Sequence, residues 1–249
     1  MALTQAEINQ INRFSDEFDV LLRNYAHQAP FGIESSDYDL KLDEYEKSIY
    51  LTDAQEEVVL SLYNGQGIVS GFDSTEEVKR YLSNLIVSEE IQPSELDLPH
   101  IAANSQFFKL NSECWFVTYE AAVIASDDCV NGTEVAICPI TQDEYHKIKK
   151  NPYRGANKRR VLSLTLADNV IELIAKEGYS VSRYHVKYLK RPEPIVLVNL
   201  PEGLTVGYGE GKSEQTPCKL HEALHNKILE RAVILALQNK GQIKNINER

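Results

Sequence analysis

The sequence predicts an α+β fold: a helical bundle of N-terminal helices and one long C-terminal helix, with an antiparallel β-rich section inserted. Three observations carry this. Residues 4–27 and 219–239 repeat apolar side chains every three and four positions, the period of a helix with one buried stripe. Residues 106–200 are instead dominated by short runs of Phe, Trp, Tyr, Val and Ile separated by turn residues, as in strands. Composition is ordinary for a globular chain of 249 residues, at 43% hydrophobic and 25% charged, which excludes a collagen-like or wholly disordered polymer.

The first helix spans about Thr4 to His27, with Ile8, Ile11, Phe14, Phe18, Leu21, Leu22 and Tyr25 on its stripe. Thr4 and Glu7 have capping-box spacing, and Pro30 and Gly32 end the pattern. After the acidic stretch SSDYDLKLDEYEKS, Thr52 with Gln55 opens a second helix that stops at Gly65. The loop GQGIVSGFDS leads to a third helix, EEVKRYLSNLI, capped by Ser74 or Thr75, and Pro93 and Pro99 close the section. Strands follow at QFFKL, CWFVTYEAAVIA and TEVAICPI, with a turn at Asn131-Gly132. Thr141 and Glu144 cap a short helix, VLSLTL is a strand, ADNVIELIAKEG a short helix stopped by Gly178, and YSVSRYHVKYLKRP and IVLVNL are strands. The last helix buries Leu220, Leu224, Ile228, Leu229, Val233, Leu235 and Ala236, and packs back on the N-terminal helices. Three sections result: acidic and helical over 1–100, β-rich over 101–215, and a helix with a basic tail over 216–249.

Charge and small motifs narrow the function. The net charge of −11 divides into −14 over residues 1–100 and +3 over the rest, and residues 147–160 hold seven bases and no acid. A non-specific duplex clamp is disfavoured at this charge, because such binding comes mainly from phosphate neutralisation. A polarised chain suits stacking on partners through surfaces of opposite sign. No apolar run approaches the roughly 18 residues that cross a bilayer, and MALTQAEINQ has no secretory pattern. Cys114, Cys129, Cys138 and Cys218 form no C-x-x-C pair and read as buried free thiols. No Walker, dinucleotide or G-x-S-x-G motif occurs, and Gly207, Gly209 and Gly211 read as a hairpin or loop. Glu56–Glu57, Glu76–Glu77 and Glu89–Glu90 read as residues of helix starts or loops, where the helix dipole favours acids.

HEALH, His221 to His225, has the spacing of a zinc hydrolase, with Glu222 as its base. Against this, Ile228 and Arg231 replace the Gly and His of the extended motif, and only 24 residues follow His225. A cytosolic zinc hydrolase is one alternative reading. A nucleic-acid module using the basic run KKNPYRGANKRR is another, although a contact with acidic protein partners suits that run better.

Several segments resemble a family of virion proteins. These are LDEYEKSIYLTDAQEEVVLSLYNG (42–65), STEEVKRYLSNLI (74–86), QDEYHKIKKNPYRGANKRRVLSL (142–164), RYHVKYLKRPEPIVLVNLPEG (183–203) and LHEALHNKILERAVILAL (220–237). The family is that of head-to-tail connector (adaptor or ring) proteins of crAss-like tailed bacteriophages. The order Tyr188, Arg191-Pro192, Ile195, then a closing helix, is similar to adaptors of tailed phages more widely. The resemblance implies a non-enzymatic structural virion protein, assembled in the host cytoplasm, without cofactor or metal. It implies a ring, dodecameric in such adaptors, below the portal, contacting the portal protein and an adjacent tail or second ring, with double-stranded DNA passing through. Leu220, Leu224, Ile228, Arg231, Lys240, Lys244 and Arg249 fall at the implied portal-docking element, and Arg154, Arg159 and Arg160 at an inter-subunit or ring-to-ring contact.

Overall fold

A computed structural model describes residues 3–28, 41–64, 80–126, 129–167, 169–209 and 211–239. In chain order these form helices α1 (Gln5–Gln28) and α2 (Glu44–Asn64), strands β1 (Ile86–Ile91), β2 (Ser105–Lys109), β3 (Cys114–Ser126) and β4 (Cys129–Pro139), and helix α3 (Gln142–Ile148). Strands β5 (Arg160–Thr165), β6 (Val170–Ile174) and β7 (Ser180–Lys190) and helix α4 (His225–Asn239) complete the set. The chain divides into two compact units, Met1–Asn84 with Pro192–Arg249, and Leu85–Arg191. The breaks between the units fall at 84/85 and 191/192.

In the first unit, α1 carries the expected cap: the Thr4 N–H donates to Glu7 Oε2 at 2.8 Å, and the Glu7 N–H to Thr4 Oγ1 at 3.4 Å. Its buried stripe is Ile11, Phe14, Phe18 and Leu22. Helix α2 begins eight residues before Thr52 because Asp43 caps it, accepting from the Glu46 N–H at 2.7 Å. Thr52 is buried mid-helix with another task. Its hydroxyl accepts from the Ile195 N–H at 3.1 Å and donates to the Ile195 carbonyl at 3.3 Å. Ser48 Oγ accepts from the Leu197 N–H at 3.0 Å, and Gln55 donates to the Glu193 carbonyl at 2.7 Å. The segment expected to be the strand IVLVNL therefore needs no ladder. Helix side chains satisfy one side of it; on the other, Val196 bridges Thr216, the Leu197 carbonyl accepts from the Gln215 side chain, and the Leu200 N–H donates to the Ser213 carbonyl. A plain helical bundle does not describe this unit: α4 packs against both α1 and α2, but the extended 192–197 segment is bonded to α2 as well. Lys47, only 3% exposed, joins α1 to α2 through Asp19 at 2.8 Å and Glu44 at 3.0 Å.

The second unit is a seven-stranded sheet in the order β1-β7-β3-β4-β5-β6-β2. Neighbours are antiparallel except β4 and β5, which run parallel, with α3 in the intervening chain. This parallel pair corrects the all-antiparallel expectation: a crossover helix is what allows adjacent strands to run the same way. The capping box of α3, Thr141 with Glu144, forms as expected. Two clusters flank the sheet, one containing Phe108, Ile124, Val161, Ile171, Leu173 and Tyr184, the other Leu162, Leu164 and Ile174 with Tyr145 and Ile148 of α3.

Two further elements differ from expectation. VIELI is β6, not a helix; it is buried on both faces, so it lacks alternation and mimics helical spacing. Residues 80–82 of the third helix are helical, followed by a 3₁₀ turn, Ser83–Leu85, and then β1; residues 76–79 lie outside the described set. Glu89 and Glu90 are thus strand residues, Glu89 accepting from the Tyr188 hydroxyl at 2.9 Å and Glu90 pairing with Arg183 at 3.2 Å. Glu56 and Glu57 lie within α2.

Gly132 sits inside β4, where the register with β3 shifts, rather than in a turn between strands. Its φ of 70° is left-handed, and an added Cβ would lie 2.5 Å from Val123 Cγ1. Gly132→Ala is expected to cost about 2 kcal/mol, from the left-handed penalty plus displacement of Val123; a denaturant midpoint unchanged from wild type would refute this.

Candidate interaction surfaces

Helix α4 is preceded by a 3₁₀ turn, Glu222–Leu224, so HEALH straddles a helix start instead of lying along one face. His221 caps that turn, its Nδ1 accepting from the Ala223 N–H at 3.2 Å, and its ring lies 5.1 Å from Tyr81. His225 is buried with Nε2 3.1 Å from the Leu220 carbonyl, which assigns the ring proton to Nε2. Its Nδ1 then accepts from Arg13 at 3.4 Å, and its ring meets Phe14 edge-on. Burial holds its pKa below the usual histidine value. The two imidazoles have different neighbours, and among the described residues no three His, Cys, Asp or Glu side chains group to hold a metal ion. The hydrolase alternative therefore draws no support from this geometry.

Of the residues expected at a docking element, Leu220, Leu224 and Ile228 are buried in their own unit. Arg231 reaches from α4 to Glu57 of α2. Exposed residues of the same turns include Glu222, Asn226, Lys227 and Glu230. Lys240, Lys244 and Arg249 lie outside the described residues. Cys218 is buried, its thiol pushed up to about 11 by burial, whereas Cys114 and Cys138 are half-buried; all three are free.

The basic loop after α3 is built by two asparagines. Asn151 Oδ1 accepts from the Tyr153 N–H at 2.9 Å and the Arg154 N–H at 3.2 Å, and Asn157 Oδ1 from the Arg159 N–H at 2.8 Å. The Arg160 guanidinium turns inward, donating to the Tyr153 carbonyl and, at 3.1 Å, to the Gly155 carbonyl. Arg160 is thus a brace. Arg154 and Arg159 stand on the surface beside Tyr153, which is 86% exposed.

Sequence reasoning missed a second exposed patch, on β3 and β7. Arg191 lies over the Trp115 ring at 5.3 Å and Lys187 over Tyr119 at 5.6 Å, with Val117 and Tyr119 exposed. The signal was the Tyr–Trp–Arg composition that enriches protein interfaces, spread over two strands distant in sequence.

The family described as phage tail ring protein 3/4 matches residues 9–248. The chain belongs to that family. It is 40% identical over 234 residues to "Ring protein 3" of Bacteroides phage crAss001, a match covering 92% of this chain and 96% of the relative. It is 31% identical over 236 residues to "Ring protein 4/5" of the same phage, covering 91% of each. The family resemblance read from the short segments is thereby borne out.

Proposed function

We propose that the chain is a structural, non-enzymatic subunit of a ring in the particle of a crAss-like phage, below the portal, through which double-stranded DNA passes. The single observation that carries this reading is the family match over nearly the whole chain, to relatives named as ring proteins. Physical features support it. A closed ring needs two unlike, complementary patches on one subunit, and the chain divides into a −14 section and a +3 section. An acidic wall repels phosphate, so the first 100 residues suit a lumen through which DNA slides without adhering. Exposed Tyr153, Arg154 and Arg159 suit a lateral or ring-to-ring contact. The start of α4 and the tail with Lys240, Lys244 and Arg249 suit docking to the portal or the next ring, and twelve subunits is the count proposed.

The test is native mass spectrometry and negative-stain microscopy of the full chain, alone and mixed with the portal and neighbouring ring proteins. The expected result is weak self-association alone and a ring of about twelve copies when its neighbours are present. A chain that remains monomeric with every neighbour would overturn the reading.

A further inference from the structure

Strand β6 places a carboxylate where its neighbours are apolar. Val170, Glu172 and Ile174 share one face of β6, and Glu172 has no solvent exposure. Glu172 Oε1 accepts from the Ile101 N–H at 2.9 Å and from the Ser105 hydroxyl. The nearest basic group, His100, keeps its Nδ1 4.0 Å away and 2.9 Å from Ser105 Oγ. Glu172 Oε2 has no hydrogen-bond partner among the described residues. Ionised or protonated, a buried carboxyl oxygen without a partner is disfavoured, and it marks a place where a donor belongs.

Glu172 lines a cavity of about 450 Å³ whose walls include Leu98, Pro99, Ile101, Leu166 and Val170. A cavity walled mainly by apolar side chains, together with His100 and Gln142, and with a buried carboxylate in its lining, matches a long apolar stem carrying a cationic head: a lysine or arginine side chain. The same unit displays such side chains. Residues 147–160 carry seven bases and no acid, and Arg154 stands on the surface without a carboxylate partner among the described residues, its backbone fixed by Asn151. Beside it is Tyr153, 86% exposed, and Leu98 of the cavity is itself 42% exposed. Charge complementarity and matched apolar surface thus point the loop of one copy at the cavity of another.

We propose that the Glu172 cavity receives the Arg154 side chain of a neighbouring copy, with Tyr153 of that copy covering Leu98. This rests on the ring reading only in that the donor is a second copy of the chain.

The test uses two differently tagged full-length chains, one carrying Leu98→Cys and the other Tyr153→Cys, mixed with the neighbouring ring and portal proteins and then oxidised. Pairs with wild-type chains control for the native cysteines. Separately, a peptide of residues 147–160 is titrated into the full wild-type chain by calorimetry, with a scrambled peptide as control. The expected results are a mixed-tag disulfide, and saturable binding of the native peptide in preference to the scramble. Glu172→Gln in the receiving chain, or Arg154→Ala in the donor chain or peptide, should weaken each by about tenfold or more. Glutamine keeps an acceptor for Ile101 and Ser105, and if that variant misfolds, the exposed Arg154→Ala arm decides. Rings that form without the mixed disulfide, or with one indifferent to both substitutions, would overturn the cavity assignment and leave the ring reading standing. If no ring forms, the ring reading fails, and the titration alone decides the cavity's ligand: binding lost with Glu172→Gln supports a cation site, and binding equal to the scramble overturns it.

Discussion

Ile228→Ala is expected to destabilise the isolated chain by about 2–5 kcal/mol, and Leu224→Ala by a similar amount. Both side chains have 0% exposure, so truncation removes apolar area and leaves a cavity that the surrounding helices close only in part. Arg231→Ala, removing one partner of a half-exposed pair with Glu57, should cost only about 0–1 kcal/mol. Denaturant unfolding of the three variants, compared at equal m-value, tests the ordering. An Ile228→Ala variant as stable as wild type would show that this face of α4 waits for a partner from outside the chain. The ordering matters for function. If Ile228 is core, loss of assembly in its variant reports unfolding and says nothing of docking. Tests of docking through α4 then belong on Asn226, Lys227 and Glu230, which are exposed on the same turns.

That distinction was not legible in the sequence. An apolar stripe states that a helix buries one face, and it is silent on whether the cover is α1 and α2 or another subunit. Where the local signal was complete, the reading held. The stripe and cap of α1, the box at Thr141–Glu144 and the aromatic, β-branched runs of β2, β3, β5 and β7 all appear as written in the sequence. It failed where one residue type serves two purposes. Thr52 looks like a helix cap, but its hydroxyl holds Ile195, while the true cap, Asp43, is hidden among other acids. Strand β6 is apolar on both faces except for Glu172, so its spacing suits a helix as well as a strand. The unpartnered carboxylate became visible only once β6 faced Ile101 and Ser105, residues about seventy positions away in the chain. The basic loop was legible as charge, but the division between exposed Arg154 and Arg159 and the bracing Arg160 depends on carbonyls that only the folded loop presents.

His225→Ala is expected to cost about 2–3 kcal/mol, whereas His221→Ala should cost about 1 kcal/mol or less. His225 is buried, bonded to the Leu220 carbonyl and set edge-on against Phe14, so its removal leaves an unpaired carbonyl and a cavity. His221 is exposed and holds one N–H of a short turn. A zinc site would impose the opposite pattern, because two ligands of one ion fail together. The pH dependence separates the cases further. Burial is the largest influence on His225 and lowers its pKa; Arg13 acts the same way, and the Leu220 carbonyl, Glu222 and Glu17 oppose it without prevailing. The unfolded chain binds a proton near its ordinary value of 6.5, and the folded chain does so only at lower pH. Stability from this residue is therefore full above 6.5 and declines as pH falls from there through the folded pKa. His225→Gln, which cannot titrate, should flatten that part of the stability curve, whereas the comparison of His225→Ala with His221→Ala reads the packing difference. Equal effects of the two substitutions, reversed by added zinc, would restore the metal reading. Unequal ones assign the pair to the packing of α4 on α1, and leave the outer surface of the helix start free for contacts within the particle.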